Sequence, residues 1–340
     1  MTEPLLDYIV SLPKAELHLH LEGTLEPEMM LALAERNKVE IPYSHPDDVR
    51  PIYDYGSLQD FLDLYYAGMS VLCRGEDFEE LTLAYLRRAA ADGVVHAEVF
   101  FDPQAHTARN ISFDEVTEGI LSGLSAGERE TGASTRLIMC FLRDLSQASA
   151  IETFNQAAAY FDDGRIIGIG LDSTEIGNPP EKFARVFAMA GERGLKRVAH
   201  AGEEGPASAV RDTLDLLYVD RIDHGIAATD DRDLMARLAR AGTPLTVCPL
   251  SNVALKAVES LQDHPLKRLL EAGVKVTINS DDPAYFGGYI AANFLQAAQA
   301  LTLDKAQLAL IARNSLEASF MDDSARAEFI RQIDAIRSAN

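Results

Sequence analysis

Eight short apolar runs, each followed by a helical pattern, constrain this chain more than any other feature. They are KAELHLH (14–20), VVHAEVFF (94–101), RLIMCFL (136–142), IIGIGLDS (166–173), RVAHAG (197–202), RIDHG (221–225), PLTVCPLS (244–251) and KVTINSDD (275–282). Most are near-continuous in apolar residues, as expected of parallel strands covered on both faces. The helical patterns between them carry their own stop and start signals. Ser112 and Glu115 have capping-box spacing. Pro180 stands in the first turn of a segment that Gly194 closes. Gly93, Gly194, Gly242 and Gly273 each precede a strand, the left-handed stop before a short loop. Strand–helix alternation repeated eight times predicts an α/β fold, a (β/α)8 TIM barrel. The open doubly wound sheet loses its main support, because no G-x-G-x-x-G follows the first strand.

The barrel is expected to be one domain over residues 1–340, with two additions. The stretch 21–93 after strand one is long enough for an inserted helical segment, including LQDFLDLYYAGMSVL (58–72), placed at the barrel mouth as a lid. Residues 284–338 read as C-terminal helices. The net charge of −22 repels phosphate backbones and anionic lipid, so nucleic acid and membrane are poor partners. No apolar run reaches the roughly 18 residues of a membrane span, and the N-terminus lacks a signal-peptide pattern; a cytoplasmic protein is expected. The three cysteines form no C-x-x-C pair, which argues against a thiolate metal site. Association into a homo-oligomer stays open.

Polar residues collect where the strands end. His18 and His20 are two apart and share one face of strand one. Strand five leads through His200 to Glu203, strand six ends in His224, and strand eight ends in Asp281 and Asp282. The C-terminal strand ends are the face on which barrel enzymes place their chemistry. Burying so many polar groups together is costly unless something pairs them, and imidazoles with a carboxylate suit a divalent cation such as zinc. His45 and His264, each beside a proline, read as surface-loop residues, His96 as core, and Cys248 as a small core residue. His106, just past strand two, is a weaker site candidate, and Asp223 reads as a residue that positions a neighbour.

The motifs LPKAELHLHLEGTL, HAGEEG, RIDHG, CPLSN and NSDDP, in that order, resemble the adenosine/adenine deaminase family of metal-dependent hydrolases over about residues 11–320. GLDSTEIGNPP and NSDDPAYFGGY are most similar to the adenine deaminase branch. The resemblance implies one divalent metal ion, most simply Zn2+, held by His18, His20, His200 and Asp281. It implies Glu203 as proton donor, His224 as the group that activates or orients water, and Asp282 on the purine. Strand four has no lysine, so the carbamylated bridge of two-metal relatives is missing. The expected activity is hydrolytic deamination of adenine to hypoxanthine and ammonia in purine salvage, with a small purine base as ligand. N6-substituted adenines or adenosine are the alternative substrates, and a purine sensor without catalysis is a further alternative. A nucleic-acid base editor is excluded by charge and by the missing H-x-E…P-C-x-x-C signature. Glu175, after strand four, is expected to accept the N9–H of adenine, or else to be an ordinary helix-entry residue before Pro179. Leu58, Phe61 and Leu62 share a helical face and are expected to cover the purine, or else to be core.

Overall fold

The structure is a computed structural model that describes residues 2–49 and 58–339, apart from the side chains of 2, 3, 58–60, 63 and 339. Its strands are β1 (Lys14–His20), β2 (Val94–Phe101), β3 (Ser134–Leu142), β4 (Gly168–Asp172), β5 (Lys196–Ala201), β6 (Arg221–His224), β7 (Leu245–Val247) and β8 (Val276–Ile278). They pair in parallel in chain order. The sheet closes through a parallel bridge between Leu19 and Asp281. The predicted barrel is therefore the observed fold.

The boundaries of β1 and β2 coincide with the apolar runs. β7 and β8 are shorter than expected. Pro249 cannot donate to a ladder and instead opens the helix Pro249–Ala254. After Ile278 the chain turns at Asp281, whose φ is +65°. Ser112 accepts from the Glu115 amide at 3.1 Å and caps the helix Phe113–Thr131, but only this half of the capping box forms, because the Glu115 carboxylate accepts from the Gly75 amide instead. Gly93, Gly194, Gly242 and Gly273 all have positive φ.

The segment after β1 divides into two parts. Leu58–Gly68 is helical and reaches the barrel mouth, whereas Gly75–Ala91 packs on β2 and on the helix Phe113–Thr131. The second helix is thus the barrel's own first crossover, and the inserted part ends before it. At the other terminus the helices are Ile290–Leu301, Lys305–Ala318 and Asp323–Ala339.

A buried ion pair ties the N-terminal end of the barrel interior together. Arg221 on β6 pairs with Glu98 on β2, and both are wholly buried. Arg221 also donates to the carbonyls of Leu17 (3.2 Å) and Ala318 (3.3 Å), so it joins β1, β2, β6 and the C-terminal helices. Burial opposes ionisation of Glu98, yet Arg221 and His96 hold its carboxyl below the usual carboxylate range. Removing one member leaves the other charge stranded. Arg221→Met is expected to lower unfolding free energy by about 3–5 kcal/mol in urea denaturation; a loss under about 1 kcal/mol would show that the pair is dispensable.

Candidate active site

The register of the parallel sheet sets out the site. His200 on β5 stands beside Asp223 on β6, and Asp223 stands beside Thr246 on β7. Lateral neighbours in a sheet share a face, so these three make one row inside the barrel. The Thr246 hydroxyl donates to Asp223 Oδ1 at 2.7 Å, and Asp223 Oδ2 lies 3.6 Å from His200 Nδ1. Across the barrel, His18 Nδ1 lies 3.1 Å from both the carbonyl and the hydroxyl oxygen of Thr246. A carbonyl only accepts, so Nδ1 of His18 carries the hydrogen and its Nε2 lone pair faces the barrel mouth. Asp223 positions neighbours, as expected.

Four ligand atoms converge at that mouth. His18 Nε2 is 3.2 Å from Asp281 Oδ1, His20 Nε2 is 3.6 Å from the same oxygen, and His20 Nε2 is 3.3 Å from His200 Nε2. Donors about 2.0–2.1 Å from a tetrahedral zinc lie about 3.3–3.4 Å apart, so these spacings match a cation's coordination shell. His18 Nε2 is buried with no hydrogen-bond partner. Burial holds His20 down at about 4 and, with the neighbouring imidazoles, holds His200 well below its usual value, so both present neutral, ligand-ready rings. The predicted metal set is brought together, and it fits a divalent cation.

Glu203 and His224 flank this cluster. His224 Nε2 is 3.4 Å from Glu203 Oε2 and 3.7 Å from Asp281 Oδ2. Burial, with the charges of Asp281, Glu204 and Glu175, pushes the Glu203 carboxyl well above the usual carboxylate range. Asp282 is raised likewise, by burial and by Asp281. His224 and Asp281 are both non-glycine residues with positive φ, at +59° and +65°. Such backbone is held in place only where the surroundings over-determine it, and it clusters at functional sites.

A relay of hydrogen bonds sets the tautomer of His224. The Leu266 amide donates to His264 Nδ1 at 3.1 Å. His264 Nε2 therefore carries the hydrogen and donates to Asn252 Oδ1 at 3.2 Å. The Asn252 amide nitrogen then donates to His224 Nδ1 at 3.1 Å, which leaves the His224 hydrogen on Nε2. His264 is thus not the surface residue expected from its proline neighbour; it is 3% exposed and acts through Asn252. His106 is buried too, bonded to Glu22 at 2.7 Å, and does not line the cavity. His96 is core, bonded to Ser134 and Glu98. His45 is exposed, and Cys248 is buried.

The cavity above the cluster spans about 430 Å3, part of it open to solvent. Phe61 and Leu62 line it, as expected, with Tyr65 and Tyr66 beside them. The side chain of Leu58 lies outside the described residues. An acidic wall made of Asp102, at the C-terminal end of β2, and Asp172, at the end of β4, was missed. The strand-end rule that found His200 and His224 would have found both.

Glu175 is corrected. It does not line the cavity; its carboxylate accepts the backbone N–H groups of Gly202, Glu203, Glu204 and Gly205 at 2.9–3.3 Å. In return, the Glu175 amide donates to the Glu204 carboxylate at 3.0 Å. Gly202 makes the turn with φ +71°, and a Cβ on Gly205 would stand 2.4 Å from Glu175 Oε1. The residue holds the loop that carries Glu203.

The sequence profile of the family described as Adenosine deaminase matches residues 13–336. The chain belongs to the adenosine deaminase family. An adenine deaminase of Ralstonia pickettii (strain 12J) is 55% identical over 336 residues, covering 98% of this chain and 97% of that protein. The crystal structure of an adenine deaminase from Arthrobacter aurescens superposes with a TM-score of 0.93 at 50% identity, covering 96% of this chain and 99% of that one. An amidohydrolase from Burkholderia ambifaria, solved with bound Zn, gives a TM-score of 0.90 at 27% identity, covering 100% and 95%. Membership in the adenosine deaminase family makes the chain a metal-dependent hydrolase.

The clamp on the 202–205 loop generates a test. In Glu175→Gln the carboxamide N–H2 faces amides that need an acceptor. Amide hydrogen exchange at Gly202–Gly205 is expected to speed up by at least about tenfold, while metal content holds steady. Unchanged protection in that loop would remove the clamp.

Proposed function

We propose that this chain hydrolyses adenine to hypoxanthine and ammonia with one Zn2+ held by His18, His20, His200 and Asp281. The convergence of those four ligand atoms beside Glu203 carries the reading. It is supported by adenine deaminases that are 50–56% identical over nearly the whole chain. The same N/O donor set would also accept iron(II) or manganese(II).

A divalent cation held by His18, His20, His200 and Asp281 would supply a water acidic enough to serve as nucleophile at neutral pH. The chain's own groups direct the rest. His224 presents the N–H on Nε2 and so orients the attacking oxygen and stabilises the negative charge that grows on it. Asp281, whose Oδ2 is 3.7 Å from that nitrogen, is the acceptor available for the proton that the water gives up. Glu203, kept protonated by burial, donates to purine N1 as oxygen adds to C6. N1 protonation draws electrons from C6; the C6–N6 bond of the adduct then breaks, ammonia departs with one proton that came from water, and the C6 hydroxyl gives the other back to Glu203 as it becomes the carbonyl of hypoxanthine. Asp282, also held as an acid, faces the imidazole side of the base and donates to N7. Phe61, Leu62 and Tyr65 cover the ring and keep bulk water away.

Metal analysis and an ammonia-release assay test this together. The purified protein is expected to hold one divalent ion per chain, and His18→Ala and Asp281→Ala to lose it along with activity. Glu203→Gln should keep the ion and lose about 10³-fold in kcat. Adenine should be turned over faster than adenosine or an N6-alkyl adenine; a preference for either of those would overturn the substrate assignment.

A further inference from the structure

We propose that Asp172, backed by Asp102, is the acceptor for the ring N–H of the free purine base and thereby selects the base over its nucleoside. This rests on the purine deaminase reading above.

Asp172 is 2% exposed and lines the cavity, and neither of its carboxylate oxygens has a hydrogen-bond partner. Asp102 is 3% exposed, lines the same wall, and has one unpartnered oxygen. The neighbours of Asp172 fill only part of its capacity: His20 Nδ1, which carries the ring hydrogen when Nε2 serves as a ligand, is 3.5 Å from Oδ2, and the Cys140 thiol and the Asp102 carboxyl adjoin the same carboxylate. Two adjoining carboxyls share one proton, and the lone pairs left on the cavity side of Asp172 are open to a donor that arrives with the ligand.

Position says which donor. The reacting carbon must sit against the metal ligands and against Glu203, His224 and Asp282, which come from β5, β6 and β8. Asp102 and Asp172 come from β2 and β4, on the far side of His20. Adenine has two donor groups. The exocyclic amino group is on the reacting carbon itself. The remaining donor is the N–H of the imidazole ring, and N9 lies away from C6. In a nucleoside a sugar carbon replaces that hydrogen. It would leave Asp172 desolvated and unpaired, and sites built to bond a polar hydrogen reject analogues lacking it by as much as 10⁴–10⁵. Glu175, with its oxygens committed to four backbone amides, leaves this role to Asp172.

The test compares adenine with 9-methyladenine, which lacks the N–H but adds little bulk. Ammonia release is measured for the metal-loaded wild type, Asp172→Ala and Asp172→Asn, with metal content read in parallel. Wild type is expected to favour adenine by at least about 10³ in kcat/KM. Asp172→Ala should reduce that ratio at least 100-fold, mostly through KM for adenine, with the metal retained; Asp172→Asn should fall between. If Asp172→Ala does not fold, Asp172→Asn makes the same comparison. Equal losses on both substrates, accompanied by metal loss, would mean that Asp172 only orients His20 and would overturn the proposal. So would a ratio unchanged within threefold. Calorimetric binding of hypoxanthine against 9-methylhypoxanthine separates this from the activity: if wild type turns over no adenine, the deaminase reading fails, and the binding ratio in wild type and variants still decides the subsite.

Discussion

Closure of the barrel and assembly of the site are one event. The bridge between Leu19 and Asp281 is made by the Asp281 amide donating to the His18 carbonyl and the His20 amide donating to the Asp281 carbonyl. The backbone groups that join the first strand to the end of the last belong to three of the proposed metal ligands, His18, His20 and Asp281. A slip of one residue in that register would turn His18 and His20 out of the barrel, because strand side chains alternate. The positive φ of Asp281 turns the chain just past the seam, so that Asp281 meets the imidazoles while Asp282 lines the cavity. The fourth proposed ligand, His200, comes from the opposite wall and is aligned by Asp223 and Thr246 in its own row. Geometry fit for a cation thus follows from sheet register, without help from flexible loops.

How much of this is legible in the sequence depends on the kind of regularity involved. The barrel follows from periodicity, and so do His18 and His20. His200, Glu203, His224, Asp281 and Asp282 follow from a positional rule about strand ends. Pro249, by contrast, shortens β7 for a local reason that the apolar run alone conceals. The relay from Leu266 through His264 and Asn252 to His224 has no period. It joins the end of β6, two short helices and the loop residue His264 between them, and each step is visible only once the chain has turned back on itself. Glu175 shows the same limit. Its place after β4 was legible, but its partners are backbone amides, which every residue owns and no sequence motif marks. A carboxylate in such a nest of N–H groups serves the loop that it holds.

The relay also bears on the chemistry. Two histidines at one mouth receive opposite tautomers from the protein. Thr246 keeps the hydrogen of His18 on Nδ1, which frees Nε2 for a metal; Asn252 keeps the hydrogen of His224 on Nε2, which makes that atom a donor. A ring with its hydrogen on Nε2 is unsuited to bind a metal through that atom, so His224 stays outside the ligand set although it stands 4.6 Å, centroid to centroid, from His18. The division of labour between ligand and orienting group is decided by what each ring meets on its far side.

Charge completes the argument about the ligand. Asp102, Asp172, Glu203, Asp281 and Asp282 all line one cavity, and the buried Arg143 beside it spends its guanidinium on the carbonyls of His200 and Asn178. A single divalent cation at the proposed site would offset part of this, and protons on Glu203 and Asp282 offset more. What is left, among the described residues that line the cavity, is a wall with spare acceptors and no Lys or Arg to receive a phosphate. Nucleotides, whose phosphates would have to lie against or beyond that wall, meet repulsion there in a low-dielectric setting where it is weakly screened. A neutral heterocycle with one ring N–H and one leaving amino group meets acceptors at one edge and acids at the other, which is the complement that a free aminopurine offers.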